Sequence, residues 1–143
     1  MGDIALPGAD EVAAYRAGVV AGLTPVRTAV VERGRVADFL LAMDEPADPA
    51  DGQVPPLFLL TLGRIRRPGG AEGGGSVKAG DDYRFFVPLR IGDEITIHYA
   101  LIECMAKLGK RGPMYELHFE RRFVRADGVL VARAIDKVLR WAR

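Results

Sequence analysis

Residues 83–141 carry the pattern that most restricts the fold of this chain: four stretches of strand-type alternation, each followed by a reversing-turn signal or reached through one. The first, YRFFVPLR, closes on Ile91-Gly92-Asp93. The second, EITIHYALIECM, sets Ile95, Ile97, Tyr99 and Leu101 on one face and Thr96 and His98 on the other. The third, MYELHFERRFV, puts Tyr115, Leu117, Phe119 and Phe123 on one side and Glu116, His118, Glu120 and Arg122 opposite. The fourth, VLVARAIDKVLRW, follows Asp127-Gly128, a pair suited to a tight hairpin because glycine accepts positive φ. Together they predict most of an antiparallel sheet with one apolar face, and such a face needs a cover.

The upstream sequence supplies one. In RGRVADFLLAMDE, Val36, Phe39, Leu40 and Met43 recur at i, i+3, i+4 and i+7, the spacing of one helical face. Before it, residues 25–31, PVRTAVV, read as a strand with its proline at the start, where an edge tolerates it. Residues 10–20, DEVAAYRAGVV, read as a short peripheral helix, with Asp10 as N-cap, Val12, Tyr15 and Val19 on one face, and Gly22 and Pro25 as stop signals. Between the main helix and the strands lies a proline-rich connection with Pro46, Pro49, Pro55, Pro56 and Pro68. Within it LFLLTLGRI forms a short helix or strand and the rest is loop, and the run from Arg67 to Gly75 is long enough to be mobile. The predicted class is α+β, an antiparallel sheet wrapped around a central helix. It forms a single domain over 1–143, with its core at 24–141 and a helical segment at 1–23.

Composition narrows the function. Of 143 residues, 49% are hydrophobic and 27% charged, ordinary for one globular domain with a real core. Lys plus Arg number 20 and Asp plus Glu 19, so no bulk field favours nucleic acid or an anionic membrane. One cysteine, Cys104, excludes an internal disulfide framework. No apolar run reaches the roughly 18 residues of a membrane span, and the N-terminus lacks the pattern of a secretory leader. Leu6 stands where a myristoylation signal wants Ser or Thr. The expected location is the cytoplasm.

Three landmarks in order carry a resemblance to a known family: the helix ending VADFLLAMDE, then VPPLF, then the strand run from AGDDYRFFVP onward. The last contains Phe86-Val87-Pro88, Gly92-Asp93, Lys107-Leu108-Gly109-Lys110-Arg111-Gly112 and Asp127-Gly128. Over residues 25–140 the chain resembles the N-terminal, non-catalytic type of hot-dog domain in MaoC-like dehydratases, relatives of (R)-specific enoyl hydratases and 3-hydroxyacyl thioester dehydratases. The resemblance implies a hot-dog fold and a thioester of coenzyme A or acyl carrier protein as substrate, without any further cofactor. In catalytic members an Asp and a His, set in a pattern like Asp-x-Asn-Pro-x-His after the central helix, hold one water and exchange protons with the substrate. At the matching places this chain has Glu45, Ala47, Asp48 and Ala50. The dyad is missing.

That departure leads to the expected function: a non-catalytic, acyl-thioester-binding subunit of a heteromeric 2-enoyl-CoA hydratase or 3-hydroxyacyl thioester dehydratase. The chain ends soon after its last strand, so the catalytic half is expected on another polypeptide, a MaoC-like hot-dog subunit, with a dimer of the chain itself as the other possible pairing. The alternatives are a stand-alone homo-oligomeric hydratase or thioesterase using Glu45, and an acyl-thioester binding protein without chemistry. Among individual residues, Glu45 is the one catalytic candidate. The resemblance places Pro55, Pro56 and Phe58 near the acyl-binding region, where the prolines make a rigid apolar wall that serves either substrate contact or core packing. Lys107, Lys110 and Arg111 could meet the phosphates of coenzyme A or the acidic surface of a carrier protein; Arg64, Arg66 and Arg67 are a second basic cluster. The acidic residues Asp44, Glu45, Asp48 and Asp51 do not have the spacing of a calcium loop, and no metal is expected. His98 and His118, on strand positions of polar parity, belong at the surface or at a subunit interface. Cys104 has no His or Asp near it in sequence to make it a nucleophile. The glycines from Gly69 to Gly75 lack the Gly-Lys-Ser/Thr ending of a phosphate-binding loop.

Overall fold

A computed structural model describes residues 5–22, 27–62 and 75–141. Its elements are α1 (Ala9–Ala21), β1 (Arg27–Val30), α2 (Arg33–Ala42), β2 (Gln53–Val54), β3 (Ser76–Phe85), β4 (Leu89–Arg90), β5 (Glu94–Gly109), β6 (Gly112–Arg125) and β7 (Leu130–Trp141). Short 3-10 turns occupy Ala50–Gly52 and Pro56–Thr61. Five strands make one antiparallel sheet in the order β1-β5-β6-β7-β3, and β2 pairs with β4 beside it. Among the described residues no helix is long and apolar enough to cross a membrane.

Register shows which side chains share a face. One row runs Ile97, Phe123, Ala132, Phe85 across β5, β6, β7 and β3; the next runs Tyr99, Arg121, Ala134, Tyr83, and the next Leu101, Phe119, Asp136, Asp81. This inner face is where the helices pack. At one end α2 lays Val36 and Leu40 on Ile95, Ile97 and Phe123, joined by Phe58, Leu59 and Leu62. Phe39 meets Phe58 edge-on, with ring centroids 5.6 Å apart. At the other end α1 lays Val19, Val12 and Tyr15 on Leu101, Tyr115, Leu117, Phe119 and Val138, with Tyr15 stacked on Tyr115 at 3.9 Å. The predicted α+β arrangement of a helix against the inner face of an antiparallel sheet is therefore present.

Several local expectations change. YRFFVPLR is not one strand, and its neighbour is not the strand that follows it. Pro88 has no amide to donate, and the chain bends there as the amides of Phe86 and Val87 both reach back to the Val131 carbonyl, at 2.8 and 3.4 Å. The part before the bend belongs to β3, which pairs with β7, while Leu89–Arg90 forms β4 in the small sheet. β3 also begins earlier than expected, at Ser76, so the segment SVKAG lies in a strand rather than a loop. Met43 does not complete the apolar face of α2. The helix ends at Ala42, and Met43, in its C-cap, is 55% exposed. Asp10 lies within the first turn of α1, with Gly8 as N-cap. LFLLTLGRI starts within the 3-10 turn Pro56–Thr61, and its residues from 63 onward lie outside the described residues. So do Pro25, the basic cluster Arg64, Arg66 and Arg67, and the glycines at 69–74.

The turn before β7 shows how the hairpin signal works. Gly128 takes φ +87°, donates to the Arg125 carbonyl at 2.8 Å, and is flanked by an Arg125–Asp127 fork with contacts of 3.0 and 2.8 Å. A Cβ on Gly128 meets no neighbouring atom, so its cost is conformational alone. Gly128→Ala should therefore lose about 1 kcal/mol in urea denaturation. Gly34→Ala, equally uncrowded but inside α2, should gain roughly 0.5 kcal/mol.

Candidate functional site

A cleft of about 340 Å³ opens where the turn at the end of β3 meets the 3-10 turn after β2. Its walls include Val54, Pro56 and Leu59 from one side and Phe85, Phe86 and Val131 from the other. The proline pair accounts for the first wall: Pro55 precedes the 3-10 turn and accepts the Phe58 amide at 2.9 Å, which fixes Pro56 toward the cleft. The second wall depends on the bend at Pro88, which leaves Phe86 53% exposed. Of the predicted apolar contacts, Pro56 lines this cleft, Pro55 anchors the turn behind it, and Phe58 is 1% exposed in the core beneath.

The basic hairpin lies elsewhere. Lys107, Lys110 and Arg111 surround the β5–β6 turn, and the cleft lies near the row of Phe123; from Phe123 to Gly112 is roughly 35 Å of strand. Lys107 pairs with Glu116, and Arg111 lies over the Trp141 ring at 6.0 Å, while Lys110 stands exposed at the turn. One chain does not bring the proline wall and these cations onto the same small ligand.

Glu45 follows α2 in an exposed turn, its amide bonded to the Leu40 carbonyl at 2.9 Å. Asp48, close by, pairs with Arg33 at 2.9 Å on the surface. Neither histidine comes near this loop. His98 is exposed on the outer face of β5, beside a smaller cleft of about 160 Å³ that Glu120 and Arg122 also line. His118 is on the outer face of β6, with Nε2 2.7 Å from Glu116 and Nδ1 3.1 Å from Glu103. Hydrogen bonds from Lys107 and His118 hold the Glu116 carboxyl below its ordinary range. Burial pushes the Glu120 carboxyl up, but Arg122 and Arg133 outweigh it and bring it down. The outer face that the alternation marks as polar is thus a paired charge lattice, with Glu120 itself buried. Burial also raises the Cys104 thiol, which disfavours the thiolate. Among the described residues no three His, Cys, Asp or Glu side chains converge as metal ligands.

The alternation contained one signal that a list of apolar positions passes over. Arg121 is in phase with Phe119 and Phe123, and Asp136 with Ala134 and Val138, so both face the inside. There Arg121 meets Asp136 side-on through Nη2 and Nε, each at 2.9 Å, and donates to the Tyr83 hydroxyl at 2.8 Å.

Among the described residues the sheet order ends with β3 and no strand pairs with its outer edge, and Val77 and Phe85 on that strand are 47% and 39% exposed. Leu41 and Met43 at the end of α2 and Leu57 and Leu60 on the 3-10 turn are also exposed. A free strand edge with apolar side chains is a template for pairing.

Comparison with known proteins adds the following. A family model described as "FAS1-like, dehydratase domain region" matches residues 18–134. Among solved structures, a chain of the ChsH1–ChsH2 complex from Mycobacterium tuberculosis is similar at TM-score 0.69 and 15% identity, with 92% of each chain covered. A MaoC-like dehydratase from Rhodospirillum rubrum is similar at 0.62 and 18%, covering 83% of this chain and 90% of that one. The R-hydratase PhaJ1 from Pseudomonas aeruginosa is similar at 0.60 and 12%, covering 88% and 91%. A sequence search of curated proteins found no match.

Proposed function

The chain belongs to the FAS1-like dehydratase-region family, as a MaoC-like hot-dog dehydratase domain, and from that premise we propose that it is the non-catalytic, acyl-thioester-binding subunit of a heteromeric 2-enoyl-CoA hydratase or 3-hydroxyacyl thioester dehydratase. The observation that carries this reading is the loop after α2. Hydration adds a water oxygen to one carbon of a double bond and a proton to its neighbour, so it needs two groups that can bond one water. Here the loop offers Glu45 without a histidine, and His98 and His118 stand on the outer face of the sheet. A second hot-dog unit must then supply the reacting pair. Among the described residues the outer edge of β3 carries no strand and Val77 and Phe85 on it are exposed, which gives that unit a place to attach, and one of the structures above is a chain of the ChsH1–ChsH2 complex.

In this reading the cleft holds acyl carbons, with Pro56 and Phe86 as its contacts. The hairpin cations Lys107, Lys110 and Arg111 stand a strand length from the cleft, too far for the coenzyme A of the same ligand, so in this reading they would meet the acidic surface of a carrier protein. Titration calorimetry with a 2-enoyl-CoA should show binding without turnover. Phe86→Ala should weaken it about three- to tenfold, the worth of part of an aromatic contact, and leave the melting temperature unchanged because Phe86 is already half exposed. Binding that ignores Phe86→Ala would remove the cleft from the proposal.

A further inference from the structure

Among the described residues β3 pairs with the sheet through β7 alone, and near its middle a carboxylate stands directly opposite another: Asp81 on β3 faces Asp136 on β7. Both are on the inner face; Asp136 is 2% exposed, and Asp81 lies at the exposed margin beside it. The charged and titratable groups around them are few. β3 contributes Lys78, paired with Asp81, and Tyr83; β6 contributes Arg121, bound to both Asp136 oxygens and to the Tyr83 hydroxyl; β5 contributes uncharged Leu101 in the same row and Tyr99 in the next. Like charges directly opposite one another weaken a strand pair. Two neighbouring carboxyl groups, one of them buried, avoid this by keeping one proton between them, and they then titrate as a pair.

We propose that Asp81 and Asp136 form a one-proton latch that fastens the edge strand β3 to β7, so that loss of this proton loosens β3. If the subunit reading above is right, the edge on which a second hot-dog unit docks is then proton-linked as well. The electrostatics of the two groups support the latch. Burial, followed by the hydrogen bond to Asp81, pushes the Asp136 carboxyl up. Burial also pushes Asp81 up, but the hydrogen bonds from Lys78 and Asp136 and the nearby cations outweigh it and bring it down. Asp136 is thus the member that keeps the proton, and Asp81 the one that accepts the bond. The sign follows. A carboxyl raised in the folded state contributes stability that is whole below the ordinary aspartate value of about 3.9 and is lost as pH rises through the folded value. The lowered Asp81 contributes stability that is lost only on acidification. The latch therefore opens on the alkaline side of the ordinary aspartate range.

Amide hydrogen exchange on the intact chain, expressed as protection factors between about pH 4 and pH 8, tests it. The β3 amides should lose tenfold or more of their protection relative to the β5–β6 ladder as pH rises. Asp136→Asn, close to isosteric, and Asp81→Asn, which frees Asp136 to ionise beside Arg121, should both abolish the step. Protection of β3 that does not change with pH in the native chain, or a step of the same size in both variants, would overturn the latch. Sedimentation velocity with a dyad-bearing hot-dog partner at the two ends of the range separates the two ideas. No association at either pH, with the exchange step intact, upholds the latch and counts against the subunit reading alone.

Discussion

Mixed with a hot-dog subunit that carries the Asp and His pair, the chain should support hydration of a 2-enoyl thioester at a rate at least about a hundredfold above either component alone, since a positioned general acid or base contributes about 10²–10⁴-fold. The isolated chain should give no rate above background in the absorbance assay for loss of the enoyl double bond. Glu45→Gln should change the reconstituted rate by less than about twofold, because Glu45 has no histidine to share a water with and sits in an exposed turn. Turnover by the chain alone, abolished by Glu45→Gln, would sink the subunit reading and make this residue the catalyst. Release of free coenzyme A would point to a thioesterase on the same fold. Binding with no turnover beside any partner would leave a carrier or structural protein.

The second large effect concerns stability. At about pH 8, where Asp136 has given up the latch proton, Arg121→Ala should cost about 3–5 kcal/mol in urea denaturation, a loss of roughly 10 °C in melting temperature, because it leaves Asp136 buried without its cation and strips a bond from Tyr83. The same site with both partners made apolar, Arg121→Met with Asp136→Leu, should recover most of that loss, since apolar groups of similar volume need no counter-charge. If the double variant is as unstable as the single one, the charge pair is not what makes Arg121 costly to remove, and packing around its stem is.

How much of this was legible follows from what each residue faces. β5 and β6 were readable because one side of each packs on helices, which forces Ile95, Ile97, Tyr115, Leu117, Phe119 and Phe123 into alternation. The first half of β3 was not. Its residues are exposed and held by ladder bonds to β7, a partner more than fifty positions away, so no local pattern records the pairing. The cleft was half legible for the same reason: Pro55 and Pro56 announce a rigid turn, but Phe85 and Phe86 join it only through the bend against Val131. The buried charges were readable in principle, from an arginine and an aspartate that fall in phase with apolar neighbours. Reading alternation as apolar against polar hid them, as it hid the burial of Glu120 on the other side.

The pairing of β3 with β7 also fixes an order of events during synthesis. β5, β6 and β7 are joined by tight hairpins and close small loops, whereas β3 closes a loop that encloses all of them. On the ribosome β3 emerges before β7, its partner among the described residues, exists, and Val77, Phe85 and Phe86 stay unpaired until β7 follows. The chain is thus most prone to aggregate during the interval between making β3 and making β7. Faster translation shortens that interval and a docking partner present during synthesis covers β3 within it, so either should raise the soluble yield.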